Sequence, residues 1–253
     1  MQKGGGAVAA QRLDKLLSTL GLGSRSELRQ MIKDGRVTVD GVVVRSPEAR
    51  YDGESSILAL DGRELRFRRY RYYMMDKPAG ILCVTEDRKQ RTVLELLPPE
   101  LRRMGLFPVG RLDKDTSGLL LLTNDGDFAH RVISPRSGVE KRYLAEVEGE
   151  IDEEDVRSFR EGLLLRDGTR CLPAGLEPHG DHQCIVTVME GKYHQVKRML
   201  ASRGKPVLRL RRLSVGELSL GDELGPGGFR ELSGEDLCKV LRDYHSAKSQ
   251  KTP

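Results

Sequence analysis

No stretch of the 253 residues approaches the roughly 20 consecutive apolar positions that a membrane-spanning helix needs. Met1 to Gln11 carries Gly4-Gly5-Gly6 and alanines but no apolar segment of a secretory signal, so residues 1–10 read as a flexible tail. Cysteine is scarce: Cys83, Cys171, Cys184 and Cys238 are scattered without C-x-x-C spacing and read as reduced core thiols of a cytoplasmic protein. There is no Walker loop, no dinucleotide fingerprint and no serine nucleophile elbow. Gly225-Pro226-Gly227-Gly228 forms a turn rather than a phosphate cradle. His179, His182 and Cys184 make only a partial ligand set with no second cluster to complete it, so no metal is expected. An enzyme built on this chain works with side chains alone.

Charge is plentiful and nearly balanced: 43 basic against 38 acidic residues, 32% of the chain, with an isoelectric point near 9.0 and a mean hydropathy of −0.47. Its distribution says more than its sum. Arg66, Arg68, Arg69 and Arg71 interleave with Phe67, Tyr70, Tyr72 and Tyr73. Lys192, Lys197, Arg198, Arg203 and Lys205 form a second cluster, followed by Arg209, Arg211 and Arg212. Cations offset phosphate charge and aromatic faces stack on bases, a mixture suited to RNA; a plain solvated face stays open.

The first part reads as a small helical module with hairpins. Leu13, Leu16, Leu17 and Leu20 have helical spacing closed by Gly21, and Ser24 with Glu27 is a capping box opening a helix that stops at Gly35. Asp40-Gly41 and Asp61-Gly62 mark tight turns between short β-rich runs. Arg25, Arg29, Lys33 and Arg36 form a candidate basic face for RNA. With Arg12-Leu13-Asp14-Lys15-Leu16-Leu17 and Gly35-Arg36-Val37-Thr38-Val39-Asp40-Gly41, this segment resembles the S4 RNA-binding domain. Residues 11–66 are expected to form that domain, 67–245 a larger one, and 246–253 a second flexible tail.

The larger domain mixes strands and helices without the βαβ rhythm of a parallel sheet. Strands are expected at 72–76, 80–84, 119–123, 142–148, 184–188 and 207–213, and helices at 92–97, 127–134, 153–161, 193–202 and 233–243. The layout is α+β with a mostly antiparallel sheet.

Three segments can carry chemistry. In Gly110-Arg111-Leu112-Asp113-Lys114-Asp115-Thr116-Ser117-Gly118, two carboxylates precede a four-leucine run that must be buried, so a fixed acid is tied to a rigid element. Lys141-Arg142-Tyr143-Leu144 places a tyrosine among cations at a strand start. In the 190–200 segment, Val196, Met199 and Leu200 can anchor a helix while Lys197 projects elsewhere. A cation beside the acid would favour its charged form. Taken singly, these residues also suit a polar turn, a strand position and a helix-surface cation.

Their order, together with Lys77-Pro78-Ala79-Gly80 and Thr123-Asn124-Asp125-Gly126, is similar to the pseudouridine synthases that pair an S4 domain with a catalytic domain and modify ribosomal RNA. The wording Tyr193-His194-Gln195-Val196-Lys197-Arg198-Met199 resembles the members acting on small-subunit (16S) rRNA. The resemblance implies Asp113 as catalytic aspartate, Tyr143 as the aromatic that packs on the target base, and Lys197 as the cation facing the acid. Arg111 is expected to hold phosphate or keep the target nucleotide out, with a loop salt bridge as the alternative. Lys141 and Arg198 are further candidates for RNA contact. No cofactor is implied, and a monomer is expected. Two other readings are a large-subunit (23S) enzyme of the same family and a non-catalytic rRNA-binding assembly factor.

Overall fold

The computed structural model describes residues 10–244; the two tails expected from the sequence lie, but for Ala10, outside the described residues. The chain divides into two compact units: one runs to Arg71 and takes in Leu97–Leu106, the other comprises Tyr72–Leu96 and the chain from Phe107 onward.

In the first unit, helices α1 (Leu13–Thr19) and α2 (Arg25–Lys33) pack on a four-stranded antiparallel sheet. Its strands are β1 (Val37–Val39), β2 (Val42–Val43), β3 (Leu58–Leu60) and β4 (Arg63–Leu65), in the order β2-β1-β3-β4. Leu13, Leu16 and Leu17 of α1 and Leu28 and Ile32 of α2 are buried against Val37, Val39 and Leu58, the helical and alternating spacings meeting in one core. The capping box forms as its residues require: the Ser24 Oγ accepts from the Glu27 N–H at 3.3 Å and Glu27 Oε2 accepts from the Ser24 N–H at 2.7 Å. Both Asp-Gly pairs sit at positive φ, the backbone of a two-residue hairpin turn. A short helix, α3 (Pro99–Arg102), belongs to this unit. Gly21, at φ 74°, lies against it so closely that a Cβ would stand 2.5 Å from the Glu100 carbonyl oxygen.

Two of the four cations expected on a basic helix face have acidic partners. Arg29 donates to the buried Asp14 carboxylate at 3.1 Å, sharing it with Arg12. Arg36 lies beyond the helix end and makes a two-pronged contact with Asp61 at 2.9 and 2.6 Å. Arg25 and Lys33 remain as exposed cations on α2.

The second unit is built on one sheet. Its main strands are β5 (Tyr72–Lys77), β6 (Ser117–Thr123), β7 (Lys141–Val147), β8 (Gly175–Pro178), β9 (Gln183–Val188), β10 (Val207–Val215) and β11 (Phe229–Glu231), with two two-residue strands, Phe107–Pro108 and Leu218–Ser219, paired at its sides. The order is β8-β9-β7-β10-β6-β5-β11, antiparallel throughout except where β10 meets β6, so the fold is α+β with a mostly antiparallel sheet. The helices are α4 (Gly126–Ile133), α5 (Glu153–Glu161), α6 (Gln195–Ser202) and α7 (Gly234–Val240). Phe159, Val196, Met199 and Leu200 pack with Ala145, Val186, Val188 and Leu210 of the sheet.

The parallel seam is short, pairing Arg211 with Ser117 and Arg212 with Gly118. Three contacts fasten it. Arg211 grips the buried Asp76 carboxylate through both prongs at 3.0 and 2.9 Å, and Arg212 Nε donates to the Leu119 carbonyl at 2.7 Å. Gly118, at φ 104°, lets the backbones touch: a Cβ there would stand 2.2 Å from the Arg212 carbonyl oxygen.

Several expected elements differ. Residues 80–84 form no strand beyond a single bridge from Leu82 to Thr92, because both edges of β5 are taken, by β6 and by β11. The helix expected at 92–97 is a 3-10 turn, Val93–Leu96, begun by Glu95 accepting from the Thr92 N–H and stopped by Pro98. Tyr72 and Tyr73, grouped above with RNA-facing aromatics, are core residues of β5, and the Tyr72 hydroxyl donates to Asp125 at 2.7 Å. Cys83, Cys171 and Cys184 are buried, whereas Cys238 is exposed. No helix of the described residues is long and apolar enough to cross a membrane.

Candidate active site

Asp113 stands in the loop that enters β6, and its position is fixed from the backbone. Lys77, the last residue of β5, is wholly buried. Its ammonium donates to the carbonyls of Pro78 (3.0 Å), Asp113 (3.2 Å), Lys114 (3.2 Å) and Thr116 (2.8 Å). The Thr116 N–H closes the turn on the Asp113 carbonyl at 3.1 Å, and the Gly80 N–H meets the Lys114 carbonyl at 2.7 Å. Burial pushes the Lys77 ammonium below the ordinary lysine value, with the nearby acids acting against that shift. The carboxylate of Asp113 is thereby left free of structural duty, its side chain 27% exposed.

Two side chains from the start of α6 face that carboxylate. His194 Nε2 lies 3.4 Å from Oδ1 and Lys197 Nζ 3.5 Å from Oδ2. Lys197 is nearer to Asp115, donating to its Oδ1 at 2.5 Å. That hydrogen bond holds the Asp115 carboxyl below the usual carboxylate range, against the opposing effect of burial. Lys197 therefore bridges both acids of the loop. Tyr143, the third residue of β7, lines the same hollow of about 70 Å³ as Arg111, Asp113, Thr116, His194 and Leu210. Arg111 is exposed at its rim. A wider depression of about 620 Å³ near Ile151, Val156 and Pro178 is bordered by Asp152, which caps α5.

The far wall is a small network. Glu190 accepts from the Leu172 N–H (2.9 Å), from Gln195 Nε2 (2.8 Å) and from the Lys192 ammonium (2.7 Å). Burial alone would raise its pKa; these donors outweigh it and hold the carboxyl below its ordinary value. The network fixes 190–195, and with it the start of α6.

The structure brings together Asp113, Tyr143, Lys197 and Arg111; Arg198 and Lys141, the other candidates of this unit, have different surroundings. Arg198 pairs with Asp167 at 2.5 Å, and its Nη1 donates to the Tyr193 carbonyl. Lys141, expected to face RNA, is instead buried at 7% exposure, and its Nζ has no hydrogen-bond partner. Burial, helped by the neighbouring Arg212 cation, pushes its ammonium down to about 8. Between about 8 and the ordinary value of 10.5 the unfolded chain binds the proton that the folded chain releases. Stability therefore rises with pH across that window, and below it the full penalty of the buried charge applies. Lys141→Met is expected to raise stability at pH 7, by on the order of 2 kcal/mol, and to flatten the rise above pH 8. Urea melts at pH 7 and pH 9.5 check both.

His194 went unread in the sequence, although its spacing of three from Lys197 sets both on one side of the helix start. What hid it is its backbone: at φ 46° and ψ 36° it is left-handed, so the helix starts at Gln195 and not at Tyr193 as expected. Lys77 was visible only as part of a motif; nothing in its spacing announces four carbonyl partners.

Residues 71–202 match the RNA pseudouridylate synthase family and residues 11–57 the S4 domain. A chain from Bacillus subtilis, called an uncharacterized RNA pseudouridine synthase, is 43% identical over 89% of this chain and 96% of its own length. The ribosomal small subunit pseudouridine synthase A of Vibrio cholerae is 41% identical, covering 91% of this chain and 100% of that one. Its counterpart in Escherichia coli K12 is 39% identical over the same shares. Among solved structures, a pseudouridylate synthase superposes with a TM-score of 0.65 at 33% identity, covering 91% of this chain and all of that one. The chain belongs to the RNA pseudouridylate synthase family and carries an S4 domain ahead of its synthase domain. It is a pseudouridine synthase.

Proposed function

We propose that this protein converts a specific uridine of ribosomal RNA, in the 16S rRNA of the small subunit, to pseudouridine. The observation that carries the mechanism is the Asp113 carboxylate, lodged in a hollow beside Tyr143 with the Lys197 ammonium 3.5 Å away. The choice of RNA leans on the relatives from Vibrio cholerae and Escherichia coli, both named as small-subunit enzymes.

The reaction breaks the bond between ribose C1′ and uracil N1, turns the ring, and joins C1′ to C5. Every atom of the substrate is kept, and the C5 proton lost at the end is balanced by one gained at N1. A stacked base cannot turn, so the uridine must first leave the RNA stack, an unstacking that costs a few kcal/mol. Asp113, backed by a loop that hangs on Lys77, then acts at the sugar, either by attack on C1′ or by drawing a sugar proton. Tyr143 packs on the turning ring and can pass the final proton. Lys197 and His194 hold the acid's orientation, and Arg111 at the rim meets phosphate. Arg25 and Lys33 on α2 supply further phosphate contacts.

The test is incubation of the purified protein with 16S and 23S rRNA transcripts, without added cofactor, followed by pseudouridine mapping. One converted uridine in 16S rRNA is expected. Conversion in 23S rRNA alone replaces the substrate assignment, and binding without conversion of either replaces the enzyme with an assembly factor.

A further inference from the structure

Tyr193 stands 74% exposed, between two residues that line the hollow, Lys192 and His194. Core burial therefore does not hold the ring. What holds it is His194: the two rings stack at 3.9 Å between centroids with 17° between their planes. Stacking is bought by strain, since His194 sits in the left-handed region that side chains ordinarily avoid at roughly 1–2 kcal/mol. The other left-handed non-glycine residues among those described, Asp40, Asp61 and His182, each lie in the turn between two strands; His194 instead opens a helix. The strained turn turns one edge of the imidazole to Asp113 and one face to Tyr193. The Tyr193 backbone is pinned as well, its carbonyl accepting from Arg198 Nη1 at 3.3 Å.

A rigid aromatic ring with one face covered and the other in water offers one slot for one flat partner. Arg111, exposed on the rim of the hollow that His194 also lines, offers a cation to the phosphates of an entering strand. We propose that Tyr193, backed by His194, is a stacking site for one unpaired nucleobase flanking the uridine that enters the hollow. The slot rests on the assignment of an RNA uridine as substrate and adds to it: the strand is read at a base beside the target, and the target must lie in a single-stranded segment. Stacking is tolerant of base identity, so the slot sets register along the strand and leaves sequence choice to other contacts.

The experiment places 2-aminopurine, whose fluorescence is quenched on stacking, at each position around one uridine. It is done in an oligouridylate dodecamer and in a synthetic RNA spanning the uridine that the full-length protein converts. Quenching at one flanking position is expected with the wild type and Tyr193→Phe, and its loss with Tyr193→Ala. Tyr193→Ala should also raise KM for the converted RNA about 5- to 150-fold with kcat changed less than about 2-fold. An abasic nucleotide at the quenched position should raise the wild-type KM by the same factor and leave that of Tyr193→Ala unmoved. Quenching that survives Tyr193→Ala, or an abasic effect that adds fully to that of the variant, overturns the slot. Absence of conversion by the wild type bears on the substrate assignment alone, because quenching in the dodecamer still decides the stacking site.

Discussion

Asp113→Asn is expected to lower pseudouridine formation by on the order of 10⁴-fold or more, the scale seen when a nucleophilic or basic group is removed from a working set. The substitution is nearly isosteric. The contacts by which Asp113 helps to hold the loop are made by its backbone: its carbonyl accepts from Lys77 and from the Thr116 N–H. Lys197 keeps its partner in Asp115. Stability should therefore stay within about 0.5 kcal/mol of the wild type. RNA affinity should be equal or slightly higher, since one negative charge leaves a surface that faces phosphate. Rates from pseudouridine mapping and affinities from filter binding separate these effects. Conversion by Asp113→Asn at the wild-type rate would end the assignment of the acid.

Lys77→Met carries the largest expected effect on stability. Two effects oppose each other. Removing a buried ammonium relieves a desolvation penalty of several kcal/mol. Against that, the four carbonyls around Lys77 belong to the backbone and cannot be substituted away. Those of Asp113 and Lys114 keep one other donor, while those of Pro78 and Thr116 lose the Lys77 bonds at 3.0 and 2.8 Å. A buried acceptor left without a donor costs about 1–3 kcal/mol, and the bonds lost are charge-assisted. The loss should win by about 3 kcal/mol, a fall in Tm of roughly 6–12 °C for a unit of this size. Activity should drop further than stability predicts, by about 10²-fold at a temperature where the variant is folded, because a shift of about 1 Å in the acid is that costly. A variant that melts with the wild type and turns over normally would show that something else holds the loop.

Much of this was legible in the sequence, for identifiable reasons. The first unit's core follows from leucines at helical spacing and from two Asp-Gly turns, all local signals. Ser24 and Glu27 announced their helix. The acid, tyrosine and lysine of the candidate site were picked out by the order of motifs that resembles a known family; taken singly, each also suited a polar turn, a strand position and a helix-surface cation. What escaped depends on contacts far apart in the chain. The strand expected at 80–84 failed because β11, some 150 residues later, takes the edge of β5 it would have needed. Arg29, Arg36 and Arg198 look like free cations until Asp14, Asp61 and Asp167 are seen to hold them. Lys141 looks like a surface residue in a basic motif, yet it points inward from the centre of a sheet. His194 was hidden by a left-handed backbone, which only a small share of histidines adopt, so the residue type alone does not announce it.

The placing of β11 also governs how this protein can emerge from the ribosome. β5 opens the synthase unit, but its outer edge is covered only when Phe229–Glu231 arrives. Until then a nascent chain presents an unpaired edge of buried, hydrophobic strand, the kind of surface on which chains pair with one another. Premature termination between β10 and β11 would strand the molecule in that condition, so shortened products should gather in inclusion bodies rather than persist as smaller enzymes.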